Sequence, residues 1–211
     1  MTRFARDNSL TLFFTVLFAA SVVGQSVVGE RVFNEDALAH HEATLSWASY
    51  LTSAHFAQAV VENWQSEFLQ FTMFILAAVW FVQRGSAESK HPDAAGLESD
   101  EEQRVGRYAS ADAPAWARAA GLKRWVYSNS LLLAMASIFV ACWLVQSVAG
   151  WAQFNEERRA HQQATVAWSA YAVSADFWED TLQNWQSEFL AVGVMAIFTV
   201  YLRQQIGRAH V

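Results

Sequence analysis

A carboxylate and an amide recur together at the start of two apolar segments, and these side chains are the ones best suited to bind a proton or a cation. Asn63 and Glu67 are four residues apart, as are Asn184 and Glu188, so each pair shares one face of a helix. Two carboxylates held close together repel when ionised, which favours proton or cation uptake. The sequence therefore predicts a polar or cation site formed by Gln25, Asn63, Glu67, Gln146, Asn184 and Glu188.

A simpler explanation of the same glutamates stays open. They lie at most a turn or two inside the predicted membrane boundary, where an ionisable group costs far less free energy than at the bilayer centre. In that position Glu67 and Glu188 would accept hydrogen bonds from Gln, Trp or backbone donors. Their role would then be to fix the docking of one helix on another.

A second pairing joins a carboxylate to an imidazole in each half of the chain. Asp36 and His40 are four residues apart, and so are Glu157 and His161. This spacing puts both side chains on one helix face, where they could bind a divalent metal or haem. Acid–histidine pairs at this spacing are also typical of solvated helix faces. We predict no cofactor and keep metal or haem binding at these four residues as an alternative.

The sequence carries no catalytic motif. It has no nucleophile elbow, phosphate loop, CxxC or HExxH pattern. Its single cysteine, Cys142, lies in an apolar segment and has no second cysteine for an intrachain disulfide. The net charge is −6 and no basic stripe is present, which argues against nucleic acid as a partner. We expect a protein that is not an enzyme.

The segments that must position these residues are duplicated. The heptapeptide Asn-Trp-Gln-Ser-Glu-Phe-Leu occurs at 63–69 and at 184–190, an offset of 121 residues from residue 63 to residue 184. Without a gap, the same offset pairs Asn8 with Asn129, Gln25 with Gln146, Asn34 with Asn155, His40 with His161, Trp47 with Trp168 and Tyr50 with Tyr171. A repeat of this length indicates one structural unit used twice.

Four apolar segments are long enough to cross a bilayer as helices, at about Ser9–Gly29, Trp64–Val82, Leu131–Gly150 and Trp185–Leu202. The first and third have about 20 residues without a charge, which at 1.5 Å per residue crosses a hydrocarbon core of roughly 30 Å. The second and fourth reach that length with Trp64 and Trp185 at the interface. The first resembles a signal peptide, but its pattern recurs inside the chain, where no signal is removed. We expect an all-α integral membrane protein with four transmembrane helices.

Basic residues orient the predicted spans. Of the 14 Lys and Arg residues, eleven lie in the N-terminal segment, the central linker and the C-terminal tail, and three in the two other loops. The positive-inside rule then places both termini and the linker in the cytoplasm, at a bacterial plasma membrane. The loops at 30–63 and 151–184 face outward. Both halves enter the membrane in the same direction, which is the arrangement of parallel repeats.

The predicted organisation has three parts. Residues 1–83 and 122–211 each form a two-span repeat, and residues 84–121 form a cytoplasmic linker. Residues 84–113 are polar and poor in aromatic side chains, which predicts disorder. Residues 115–125 carry Trp, Leu and basic residues at helical spacing, which predicts a short helix on the inner membrane surface.

The outer loops are too patterned to be unstructured. The acids that follow Asn34 and Asn155 indicate helix starts, and Ser53 and Ser174 are candidate N-caps for the helices that return to the membrane. The paired aromatic residues of these loops are interpreted as packing and interface anchors rather than a ligand cage: Trp47, Trp168, Tyr50 and Tyr171.

Several of these motifs together resemble a known protein family. They are Gly24-Gln25, Phe33-Asn34-Glu35, the heptapeptide at 63–69 and the segment Gln83–Lys90. In these motifs the chain is similar to an uncharacterised family of small bacterial four-span membrane proteins, catalogued as a domain of unknown function. The resemblance covers nearly the whole chain except the linker, and it implies no activity, cofactor or site residue. Val145 precedes Gln146 where the first half has glycine, so a close helix approach is less expected there.

Three functions remain open on the sequence. The first is a non-enzymatic interaction or accessory subunit of the membrane, with a protein partner or a second copy of the chain. Another is a small transporter or ion pathway that uses Glu67 and Glu188. A third is a metal- or haem-binding redox component that uses His40 and His161.

Overall fold

The computed structural model describes residues 3–202, and within this range every regular element is helical. In chain order the elements are α1 (Arg3–Asp7), α2 (Ser9–Ala39), α3 (Trp47–Leu51), α4 (Ala54–Trp80), two short 3₁₀ helices (Pro92–Ala94 and Gly106–Tyr108), α5 (Leu122–Ser128), α6 (Ser130–Ala160), α7 (Trp168–Tyr171) and α8 (Ala175–Tyr201). The predicted all-α class is confirmed. Arg203 and Arg208, which contributed to the predicted orientation, lie outside the described residues.

The bounds of the four long helices recur at the offset of 121 residues. α2 and α6 have 31 residues each, and α4 and α8 have 27 each. The short helices α3 and α7 begin at Trp47 and Trp168, which the repeat pairs. Even the turn after the long helix recurs, because His41 and Gln162 both have a positive φ, 59° and 57°.

Contacts between residues divide the chain into two compact units. The first unit takes the described part of Met1–Val61 together with Val145–Ser174. The second unit takes Glu62–Leu144 together with the described part of Ala175–Val211. Each unit draws on both sequence repeats, so this division differs from the predicted division at residues 83 and 122.

α2 and α6 are the two helices of the described chain that are long and apolar enough to cross a membrane. Only 6% of the most apolar window of α2 is buried inside the protein, and 17% of that of α6. Both helices continue past the predicted span ends at Gly29 and Gly150, to Ala39 and Ala160. The apolar part of each is therefore followed by a polar helical extension.

Asn34 and Asn155 lie inside α2 and α6, so the helix starts predicted at these positions are wrong. Each asparagine instead binds the backbone of the loop that follows its helix. Asn34 donates to the Leu45 carbonyl at 2.9 Å and accepts from the Leu45 amide at 2.7 Å. Asn155 makes the same two bonds with Val166, at 3.0 and 2.8 Å. The side chain that suggested a cap is engaged eleven residues further along the chain.

The aromatic residues of α3 and α7 pack against α2 and α6 in the first unit. Tyr50 and Tyr171 are 2% and 3% exposed, and their hydroxyls lie against Gly29 and Gly150. Trp47 and Trp168 donate their indole N–H to the hydroxyls of Ser26 and Ser147, each at 3.2 Å. The predicted N-cap at Ser53 is confirmed, since its Oγ accepts from the Phe56 amide at 3.2 Å.

The linker is folded where the sequence predicted disorder. It contains both 3₁₀ helices, and Val105 within it is 1% exposed. The Gly106 amide donates to the Ala117 carbonyl at 2.7 Å, and Arg124 forms an ion pair with Asp100 at 2.9 Å. Local backbone bonds of this kind do not show in composition, which is why the prediction failed.

The helix predicted at 115–125 is displaced towards the C-terminus. Residues 115–118 form a turn, and α5 occupies Leu122–Ser128. Gly121 explains the shift, because its φ of 61° is left-handed and cannot lie inside an α-helix.

Candidate functional site

The polar residues of α4 and α8 meet in the second unit, in a pairing that the sequence did not suggest. Asn184 donates its Nδ2 to Glu62 Oε1 at 2.7 Å and to the backbone carbonyl of Asp180 at 2.9 Å. The first of these bonds joins α8 to α4. Hydrogen bonds between neighbouring helices fix their docking when few polar groups compete. Asn184 therefore pairs with Glu62 rather than with a residue of the predicted site.

A second hydrogen bond between α8 and α4 is made one residue further along α8. Trp185 donates its indole N–H to Gln65 Oε1 at 2.8 Å. Gln65 is fully buried at 0% exposure, and its Nε2 has no hydrogen-bond partner among the described residues. The same holds for Nε1 of Trp143 and Oγ1 of Thr181. Buried donors of this kind are most often satisfied by ordered water.

The two glutamates of the predicted site are neighbours in the second unit. Glu67 lies close enough to Glu188 to repel it electrostatically. Ser66 is 2% exposed and donates to the Asn63 carbonyl at 2.9 Å. Glu67 and Asn63 are themselves exposed, so these side chains lie at the surface of the second unit.

Glu62 and Asp180 are two carboxylates of this cluster whose pKa values are raised. Burial raises the pKa of Glu62, the hydrogen bond from Asn184 opposes the rise, and the charge of Asp180 adds to it. Burial also raises the pKa of Asp180, and the carboxylates of Glu179 and Asp176 raise it further. The raised pKa values mean that these two carboxyl groups keep a proton to higher pH than free side chains do.

The two glutamines of the predicted site belong to the first unit. Gln25 is exposed and donates its Nε2 to the Ala59 carbonyl at 3.3 Å. Gln146 is 1% exposed, and its Oε1 has no hydrogen-bond partner among the described residues. The predicted six-residue site is therefore split between the two units. The two glutamines belong to the first unit, and the second unit holds Asn63, Glu67, Asn184 and Glu188.

The acid–histidine pairs lie on exposed helix ends. His40 Nδ1 is 2.9 Å from the Asp36 backbone carbonyl and 3.5 Å from its carboxylate. Glu157 and His161 are exposed, and the His161 amide donates to the Glu157 carbonyl at 3.0 Å. Within residues 3–202, no three His, Cys, Asp or Glu side chains are grouped to hold a metal ion.

One protein-family model matches almost the whole chain. The family model described as a domain of unknown function, DUF6766, matches residues 1–208. The chain belongs to the DUF6766 family. This confirms the predicted membership of an uncharacterised family catalogued as a domain of unknown function, and it brings no activity or residue role with it. No curated protein and no solved structure matches the chain.

Glu62 and Asp180 belong to the polar cluster of this DUF6766 chain, and the sequence reasoning missed both. Neither acid is repeated, because Glu62 corresponds to Gln183 and Asp180 to Ala59 in the other repeat. The repeated motifs therefore do not include them. Helical spacing could have found the first of them. Glu62 and Gln65 are three residues apart, so they share one face of α4.

Proposed function

We propose that this DUF6766 chain is a multi-pass integral membrane protein. The observation that supports the proposal is the exposure of α2 and α6. Only 6% of the most apolar window of α2 and 17% of that of α6 is buried inside the protein. A core helix of a water-soluble protein would be mostly buried. Lipid is the solvent in which such a surface is stable, because exposing it to water costs about 25 cal/mol per Å².

We further propose four spans rather than two, with both termini and the linker in the cytoplasm. α4 and α8 have 27 residues each, which corresponds to about 40 Å of helix and is enough to cross a bilayer. The recurrence of the bounds of the four long helices at one offset supports two parallel two-span repeats. The distribution of basic residues supports the orientation.

Within the membrane, the proposed role is that of a non-enzymatic interaction or accessory subunit. The polar side chains of α4 and α8 are engaged with each other, Asn184 with Glu62 and Trp185 with Gln65, which is the pattern of a docking contact. The partner is a membrane protein or a second copy of the chain.

Purification in mild detergent tests this role. A specific partner, or a defined homo-oligomer, should be recovered at constant stoichiometry when either component carries the affinity tag. Repeated recovery of a monomer alone, from membranes of a host that contains the native partners, would contradict it.

A second candidate function is a proton or cation pathway, and the cluster of Glu62, Asp180 and Asn184 favours it. Ionisable groups held near a membrane boundary between helices often mark ion routes. In proteoliposomes, Glu62→Gln with Asp180→Asn should abolish flux, while the exposed control Glu42→Gln should retain it. Glu67→Gln with Glu188→Gln tests the pair predicted from the sequence in the same assay. Equal flux in all variants would eliminate both sites.

A further inference from the structure

A groove of about 1210 Å³ opens in the second unit between α8 and the chain that follows α4. Its wall on α8 is apolar and is formed by Ala191, Val194, Met195 and Phe198. A smaller hollow of about 210 Å³ shares Ala191, Met195 and Glu88 with the groove and adds Phe71 and Phe74. The two hollows therefore form one apolar path along α4 and α8.

The opposite wall of the groove is a shaped loop, residues 83–92, that is bonded to α8. The hydroxyls of Ser86 and Thr199 are 2.7 Å apart, and the Glu88 amide donates to Ser86 Oγ at 3.1 Å. Gly85 has a φ of 86°, and a Cβ there would lie 3.4 Å from Val200. Both the bonds and the close approach hold the loop in one position relative to α8.

Two side chains of opposite charge line this groove without an ion-pair partner in the described part of the chain, Arg84 and Glu88. The other ionisable residues of the lining are already paired, Lys90 with Glu98 at 3.7 Å and His91 with Asp93 at 3.2 Å. Lys90 also donates to the Gly96 carbonyl at 3.0 Å. Among residues 3–202, the groove thus offers one unpaired cation and one unpaired anion beside an apolar wall.

We propose that this groove binds a phospholipid with an ethanolamine headgroup. Arg84 pairs with the phosphate, and Glu88 accepts hydrogen bonds from the primary ammonium. One acyl chain lies against the apolar wall of α8. The inference rests on the proposed membrane location, which puts the groove at the cytoplasmic ends of the second and fourth spans. Pockets between transmembrane helices at that level bind lipid headgroups in other proteins.

Native mass spectrometry of the full chain, exchanged into detergent with equal amounts of phosphatidylethanolamine and phosphatidylcholine, tests the proposal. Both headgroups carry a phosphate, but only ethanolamine has N–H donors for Glu88. We expect the wild-type chain to retain phosphatidylethanolamine about tenfold better, the effect of one charge-assisted hydrogen bond.

Two variants separate the two contacts. Glu88→Gln should remove the preference while both lipids are still retained. Arg84→Gln should reduce retention of both lipids about tenfold, because the phosphate is common to them. Arg159→Gln, an exposed position of α6 outside the groove, should behave like the wild-type chain. Met195→Trp, which narrows the groove at its apolar wall, should reduce retention of both lipids.

Three results would overturn the proposal. One is equal retention of the two lipids by the wild-type chain, and another is an unchanged preference in Glu88→Gln. The third is a lipid-free dimer that Met195→Trp dissociates, which would show that a second copy occupies the groove. Alkaline carbonate extraction of the same membranes separates these failures from failure of the membrane location. Release of the chain into the aqueous fraction would contradict the membrane location itself, and the lipid site with it.

Discussion

At the scale of single residues, two glycines of α2 make opposite predictions although they are five positions apart. A Cβ at Gly29 would collide with the Tyr50 hydroxyl, whereas a Cβ at Gly24 would meet nothing within 4 Å. Gly29→Ala should therefore lower the free energy of unfolding by about 1–3 kcal/mol, the cost of overpacking. Gly24→Ala should be neutral, or stabilise by up to about 1 kcal/mol through helix propensity.

Thermal unfolding in detergent measures both glycine variants. Adding Tyr50→Phe to Gly29→Ala should restore part of the lost stability, because it removes the oxygen that the new methyl group meets. Equal melting temperatures for Gly29→Ala and Gly24→Ala would show that Tyr50 does not pack against α2 as described.

Glu62 predicts a pH dependence of stability. Its pKa is raised above the ordinary value of 4.5, so the folded chain retains a proton that the unfolded chain releases as pH rises above that value. Stability contributed by this group is present below pH 4.5 and is lost as pH rises through the raised pKa. Glu62→Gln should therefore flatten the fall in melting temperature with rising pH and be more stable than wild type at neutral pH.

The matched control for Glu62→Gln is Glu42→Gln, an exposed position for which the same substitution should leave the pH profile unchanged. The pKa of Asp180 is also raised, so the melting temperature of the Glu62→Gln variant should still fall with rising pH, but less steeply than that of the wild type. A wild-type slope retained in full by Glu62→Gln would contradict the burial of this carboxyl.

At the scale of elements, α2 and α6 end in the same way. The Glu42 amide donates to the Ala37 carbonyl and the Gln163 amide to the Arg158 carbonyl, each at 2.7 Å, with His41 and Gln162 left-handed before them. This is the Schellman motif, in which glycine is the favoured left-handed residue. His41→Gly or Gln162→Gly should raise the free energy of unfolding by about 1 kcal/mol.

Chemical denaturation in mixed micelles compares each of these variants with His40→Gly, one residue earlier. His40 has a negative φ of −97°, so glycine there brings no relief of strain and should not stabilise. Destabilisation by His41→Gly would show that the helix does not end in this turn.

The extent of these helices could be predicted only in part. The apolar segment predicted the part of α2 that is long enough to cross a membrane, because burial in lipid requires an uninterrupted apolar segment. After Gly29 the sequence predicts the end of the span and a new helix start at Asn34, because acids follow that asparagine, whereas α2 continues unbroken to Ala39. Nothing in the local sequence shows that Asn34 binds Leu45 instead.

At the scale of the whole molecule, the duplication in the sequence anticipated the recurrence of helix lengths, but not the site. A repeat identifies what the two halves share. The contact between Asn184 and Glu62 joins residues that do not correspond, and Glu62 itself has glutamine as its counterpart. Pairings between distant segments depend on how helices pack, which a single sequence does not encode by spacing.

The number of membrane crossings determines which side of the membrane holds the linker. Single cysteines at Glu42 and Glu101, both exposed, can be introduced into a Cys142→Ala chain and reacted with a membrane-impermeant maleimide in intact spheroplasts. With four spans, Glu42→Cys reacts in intact spheroplasts and Glu101→Cys reacts only after the membrane is permeabilised. Reaction of both positions in intact spheroplasts would mean that α4 does not cross the bilayer, and would contradict the four-span topology.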